Sequence, residues 1–204
     1  MLQKKRLSLG ITGGIGSGKS YVCRILERLQ IPVFYTDEEA RCEMLSNPQI
    51  HSQLFHLLQA DVLLPTGELN KPLISTFIRS GEDAATAVNA IVHPQVRIRF
   101  RRWMAQQEAP LVAMESALLF ESGFQSEVDW SVLVTAPEEV RIARVMARDG
   151  KSREEVLRWM ALQMSEERKA ELSNFVVLNN GKHDVEVQIR KLTSRLMAQI
   201  AAEE

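Results

Sequence analysis

A lysine and a hydroxyl set directly behind a run of glycines carry the clearest chemistry in this chain. Residues 10–20 read GITGGIGSGKS, and from Gly13 they fit G-x-x-x-x-G-K-[ST], with Gly14, Ile15, Gly16 and Ser17 intervening before Gly18, Lys19 and Ser20. Glycines let backbone N–H groups approach a polyphosphate with no Cβ in the way, and a helix N-terminus behind them adds a favourable dipole. In that setting Lys19 would reach the β- and γ-phosphates of ATP, and the Ser20 hydroxyl would ligate Mg²⁺.

Phosphoryl transfer also asks for a base and for positive charge over the moving group. Asp37, in the run Thr36-Asp37-Glu38-Glu39, could take the proton of an attacking hydroxyl, or could simply complement a helix dipole with its two acidic neighbours. Glu115 and Glu121 are further carboxylates that could serve Mg²⁺ from an outer shell or end a strand. Arg141, Arg144 and Arg148 recur at three- and four-residue spacing and would share one helix face, either closing over a triphosphate or pairing in solvent with Glu138 and Glu139. A second basic run, Arg97, Arg99, Arg101 and Arg102, reads as a solvated face or as a surface for an anionic substrate or nucleic acid.

These residues need a frame. Leu7, Leu9 and Ile11 predict a buried strand before the glycines, and Val22, Ile25, Leu26 and Leu29 predict a helix over residues 21–30, so the motif sits in the strand–loop–helix order that it requires. Residues 31–35 predict a second strand, Thr36 a helix cap, and residues 37–107 an almost wholly helical insertion with segments starting at Asn47-Pro48, Lys71-Pro72 and His93-Pro94 and a break at Pro65-Thr66-Gly67. Sheet character resumes at residues 110–114, continues through 118–120, and returns at 131–135 and 175–178. Helices follow over 138–148, from Ser152 with Glu155 in a capping box, and from about Asp184 with Val185, Val187, Ile189, Leu192, Leu196, Met197 and Ile200 on the apolar side. The alternation predicts an α/β fold, a doubly wound parallel sheet flanked by helices, with ligands at the carboxyl ends of the strands.

The remaining signals are quiet. With 204 residues, 45% of them apolar, one elaborated domain has ample core, and a formal net charge of −1 gives no support for a general nucleic-acid or membrane-surface binder. Cys23 and Cys42 form neither a metal-ligand spacing nor a disulfide framework, so a reducing, cytoplasmic setting is expected. Lys4, Lys5 and Arg6 lead into a strand instead of a long apolar stretch, so no signal peptide is expected, and no apolar run approaches a membrane span. His51 and His56 lack partners for a metal, and His93, before a proline, could be a helix-start residue or a substrate contact.

Taken together, GITGGIGSGKS, TDEEAR at 36–41, NAIVHPQVRIR at 89–99, LLFESG at 118–123, RVMARDG at 144–150, SREEV at 152–156 with Gln163 after it, and FVVLNNG at 175–181 resemble the dephospho-coenzyme A kinase family over nearly the full chain. The resemblance implies a P-loop kinase that transfers the ATP γ-phosphate to the ribose 3′-hydroxyl of dephospho-coenzyme A, with a core at about 1–36, 108–137 and 172–204, a substrate-binding region at about 37–107 and a lid at about 138–171. It makes Asp37, Lys19 and Arg144 catalytic and assigns ATP to Gly14, Ile15, Gly16, Ser17, Gly18, Lys19, Ser20, Tyr21 and Arg148. It assigns the acceptor to Thr12, Asp37, Arg41 and His93 and Mg²⁺ to Ser20. It departs from the family pattern at Tyr21, Tyr35, Thr36, Glu38, Glu39, Glu115 and Ala117. A monomer free of nucleic acid and membrane is the expected state.

Two rivals remain open at this stage. A regulatory GTPase would want Asn-Lys-x-Asp, but Asn70-Lys71 is followed by Pro72-Leu73. Another small-molecule or nucleotide kinase of the same fold, or less readily a nucleic-acid-binding ATPase using the basic run, would share the loop.

Overall fold

The computed structural model describes residues 6–202, apart from the side chain of Glu82. Lys4 and Lys5, weighed above against a secretion signal, lie outside the described residues, as do 203 and 204 at the end of the expected core. Two compact units divide the chain: unit one spans Met1–Phe34 and Gln107–Glu204, and unit two spans Tyr35–Gln106.

Unit one is built on a sheet of five strands: β1 (Leu7–Thr12), β2 (Val33–Tyr35), β3 (Leu111–Glu115), β4 (Trp130–Thr135) and β5 (Phe175–Leu178), in the order β2-β3-β1-β4-β5. The pairings run parallel, with Leu7 opposite Leu111 and Ile11 opposite Glu115, Ile11 opposite Val132, and Val132 opposite Phe175. Every residue of β1 is buried, as befits the middle strand of a sheet covered on both faces. Of its two polar side chains, that of Ser8 is satisfied: the Ser8 N–H and hydroxyl both donate to Asp129 Oδ2, at 2.8 and 2.7 Å. Its glycine is there for room, since a methyl group on Gly10 would lie 2.9 Å from Leu119 Cδ2.

The helices of unit one are α1 (Lys19–Arg28), then, after the insertion, α6 (Glu138–Asp149), α7 (Arg153–Ala161), α8 (Glu166–Leu172) and α9 (Val185–Ala202), with a 3₁₀ turn at Phe124–Glu127. α7 carries the expected capping box between Ser152 and Glu155. Asp184 Oδ1 accepts the Val187 N–H (3.1 Å) at the start of α9. β5 is an edge strand, and Gln188 of α9 reaches it twice: Oε1 accepts the Leu178 N–H (2.9 Å) and Nε2 donates to the Leu178 carbonyl (3.0 Å).

Unit two holds α2 (Thr36–Ser46), α3 (Pro48–Leu58), α4 (Lys71–Ile78) and α5 (Glu82–Gln106). α5 packs against the other three through Val88, Val92, Val96 and Phe100, a buried stripe at four-residue spacing. Asn47 and Asn70 cap α3 and α4, accepting the N–H groups of Gln49 and Leu73.

Several sequence-based expectations give way here. Residues 118–120 are a turn, not a strand; their apolarity serves burial, with Leu119 fully enclosed. His93-Pro94 does not start a helix but lies inside α5. A mid-helix proline costs about 3 kcal/mol, whereas burying each large apolar side chain contributes about 1.5–3 kcal/mol, so the continuous stripe carries the helix through. Thr36 is the first helical residue of α2 and not its cap, which falls at Tyr35. α1 starts two residues earlier than expected, at Lys19, because Gly18 takes a left-handed conformation (φ 97°) that leads directly into it. Val187 and Met197, expected on the apolar side of α9, are exposed.

Candidate active site

The loop between β1 and α1 closes on itself. Ser17 N–H donates to the Gly14 carbonyl (3.1 Å), and Lys19 Nζ donates to the Gly13 carbonyl (2.9 Å) while standing 3.9 Å from Glu115 Oε1 at the end of β3. Lys19 and Glu115 are both nearly buried, so their charges offset one another where water is scarce. Gly16 is held at φ 79°, and a Cβ there would lie 2.5 Å from the Arg141 carbonyl. Thr12 Oγ1 and Ser17 Oγ are buried with no hydrogen-bond partner among the described residues, while Ser20 and Tyr21 are exposed in the first turn of α1.

The three arginines of α6 do not form one face over the loop. Arg141 is buried, its Nε donating to the Ala136 carbonyl (3.1 Å) and its Nη1 3.7 Å from Glu166 Oε1. Arg144 is half-buried, with Nη1 donating to the carbonyls of Gly16 (3.3 Å) and Ser17 (3.4 Å) and Nη2 to that of Asn179 (2.9 Å). Arg148 is exposed and forms a fork with the Asp149 carboxylate (2.7 and 2.8 Å), which holds Asp149 below the usual carboxylate range. The expected partner Glu139 pairs with Arg153 instead.

Three side chains stand out beside these. Asn179, which in the sequence is part of the FVVLNNG stretch and has no assigned role, donates from Nδ2 to the Ser17 carbonyl (2.8 Å). Glu166 and Lys169 belong to α8, a short helix whose charged run looks like an ordinary solvated face. Yet Lys169 is fully buried, donating to the Ala117 carbonyl (3.1 Å) and pairing with Glu121 Oε1 (3.2 Å), which also accepts the Met164 N–H (2.9 Å). Glu121 thereby has a structural partner in this unit. Its burial leaves Cys23 an inert small hydrophobe, for desolvation, helped by Glu115 and Glu27, pushes the thiol far up.

Mg²⁺ carried on a nucleotide takes one or two protein oxygens besides phosphate and water. The Ser20 hydroxyl at the head of α1 and the Glu115 carboxylate behind Lys19 are donors of the right kind, so the residues present fit the ion.

In unit two, Asp37 and Arg41 are exposed on α2 one helical turn apart. Arg99 is drawn out of the expected basic run by Glu39 (2.5 Å) and Glu43 (3.2 Å). His93 is half-buried; burial, with Arg97 nearby, lowers its pKa to about 4, so its imidazole is neutral at pH 7.

A parallel sheet in this order, with a glycine loop between its central strand and a helix and a lysine folded back on that loop, defines a P-loop kinase core. The shikimate kinase of Acinetobacter baumannii shares the fold (TM-score 0.54, 15% identity, 96% of each chain covered). So does a protein of Thermus thermophilus, TT1252, with TM-score 0.80 and 35% identity over 96% of this chain and 98% of the other. The dephospho-CoA kinase family model matches residues 7–184, and the dephospho-CoA kinase of Bacteroides fragilis (strain YCH46) is 40% identical over 195 residues, 95% of each chain. The chain belongs to the dephospho-CoA kinase family, as the motifs in its sequence imply.

Proposed function

We propose that this chain transfers the γ-phosphate of ATP to the ribose 3′-hydroxyl of dephospho-coenzyme A, giving coenzyme A and ADP. The observation that carries the reading is the loop of residues 13–20 closed by Lys19 in a member of this family. The loop from Gly14 to Tyr21 cradles the phosphates through the amides of its later residues, those of Gly14 and Ile15 being bonded to Glu166 and Gln163, and Lys19 leaves the Gly13 carbonyl for the β- and γ-phosphates. Ser20, with Glu115 behind it, is the place for Mg²⁺, which would supply charge neutralisation on the phosphates.

Asp37 accepts the proton of the 3′-hydroxyl as that oxygen forms its bond to the γ-phosphorus and the bond to the β–γ bridging oxygen breaks. Arg144 steadies the loop beside the phosphates, and Arg148 reaches them on leaving the Asp149 carboxylate; Thr12, Arg41 and His93 hold the acceptor, His93 by neutral hydrogen bonding. The segment 138–171 serves as the lid. No helix among the described residues is long and apolar enough to cross a membrane, and we place the enzyme in the cytoplasm as a monomer without a nucleic-acid partner. The test is ADP release with dephospho-coenzyme A against adenosine, nucleoside monophosphates and shikimate: a strong preference for the first is expected, and equal rates would refute the reading. Shikimate in particular tests the rival kinase of the same fold.

A further inference from the structure

Two side chains that follow α7 hold the first turn of the phosphate loop. Glu166 Oε1 accepts the Gly14 N–H at 2.8 Å, and Gln163 Oε1 accepts the Ile15 N–H at 2.9 Å. The fit at Gly14 is close: a methyl group there would lie 2.6 Å from Glu166 Oε1 and 2.7 Å from Arg141 Nη1. The Glu166 side chain is only 14% exposed and its second oxygen has no hydrogen-bond partner among the described residues, so its charge leans on Arg141, 3.7 Å away and itself 9% exposed. A nearly buried carboxylate committed to a single loop amide costs desolvation and fixes geometry in return.

Glu166 is itself held from behind. Three residues along α8, Lys169 is anchored to the Ala117 carbonyl and to Glu121, and Glu121 also takes the Met164 N–H between the two clamp residues. Hydrogen bonds therefore tie the turn after β3 to α8, and α8 in turn to the opening residues of the phosphate loop.

We propose that Glu166 and Gln163 are positioning residues for phosphate binding. They pin the N–H groups of Gly14 and Ile15, so that the later residues of the loop and the amino end of α1 face the nucleotide in one conformation, and Arg141 supplies the countercharge that lets Glu166 do so. Preorganised donors spend nothing on ordering when the anion arrives. The proposal rests on the phosphate-loop reading of residues 13–20.

Steady-state kinetics of the full chain with each substrate varied, together with thermal midpoints, test it. Glu166→Ala should raise KM for ATP about tenfold and Gln163→Ala a few-fold, with KM for dephospho-coenzyme A unchanged. Glu166→Gln, which keeps the acceptor for Gly14 but not the charge for Arg141, should recover part of the loss. A lowered midpoint with ATP KM unmoved would make the clamp merely structural, and a lowered ATP KM would make Glu166 a competitor of the phosphate; either overturns the proposal. If Glu166→Ala does not fold, the isosteric Glu166→Gln and the half-buried Gln163→Ala carry the test by the same criteria. A wild-type chain without ATP-dependent turnover would instead refute the phosphate-loop reading.

Discussion

The Asn179 side-chain amide donates to the Ser17 carbonyl at 2.8 Å, and the Arg144 guanidinium bonds both that carbonyl and the Asn179 carbonyl, so the end of β5 is fastened to the phosphate loop through one arginine. Arg144→Ala should lower kcat/KM for ATP by about 10²-fold, since three backbone carbonyls lose a charged donor. Arg144→Lys should recover little, because a single ammonium cannot span carbonyls that a planar fork reaches. Asn179→Ala should cost only a few-fold. Initial-rate measurements over a range of ATP concentrations check all three, and an Arg144→Ala enzyme with normal ATP kinetics would remove the arginine from the site.

Lys19→Ala should abolish transfer, and Asp37→Asn should lower kcat by roughly 10²-fold or more without altering the far-ultraviolet circular dichroism. An unchanged kcat in Asp37→Asn would return this exposed residue to the role of complementing the dipole of α2, alongside Glu38 and Glu39.

Lys169 should matter for stability. Lys169→Ala removes a wholly buried cation and leaves the Glu121 carboxylate, 22% exposed, facing the protein, a loss of about 3–5 kcal/mol. Urea denaturation of Lys169→Met, Glu121→Gln and the double variant should show strong non-additivity. Additive losses would mean that the two residues do not act as a pair.

His93 makes a prediction about acid. Its folded pKa of about 4 lies below the ordinary 6.5, so the folded protein binds fewer protons there than the unfolded chain. The contribution is whole above about pH 6.5 and is lost as the pH falls towards 4, by an amount on the order of 2 kcal/mol after allowing for its partial exposure. Compared with His93→Gln, the wild type should lose stability over that window and not above it. Parallel denaturation curves from pH 7 down to pH 4 would contradict the assignment.

The sheet and the loop were legible because their signals are local. A buried strand, a glycine turn and a helix are written in consecutive residues, and the Ser152–Glu155 cap spans four positions. What the sequence concealed is non-local. Residues 118–120 are as apolar as a strand, yet they lie against Gly10 as a turn, and nothing within three residues distinguishes the two. Pro94 looks like a boundary until the Val88-to-Phe100 stripe is seen to continue through it. Spacing places Arg141, Arg144 and Arg148 on one helix face about a turn apart in succession, but whether an arginine there meets loop carbonyls or a nearly buried glutamate depends on partners far along the chain. Glu166 and Lys169 were hidden for the same reason, since a run such as SEERK reads as a surface until its lysine is found enclosed.

The double hydrogen bond from Gln188 to Leu178 bears on how this enzyme behaves at high concentration. β5 ends the sheet with Val176 and Leu178 substantially exposed, which would make it a template for strand addition by another molecule. The amide of Gln188 engages the N–H and the carbonyl of Leu178, so a newcomer must break two bonds before it can form its own there. A single side chain from the last helix thus takes up two of the hydrogen-bonding positions that strand addition at this margin would need.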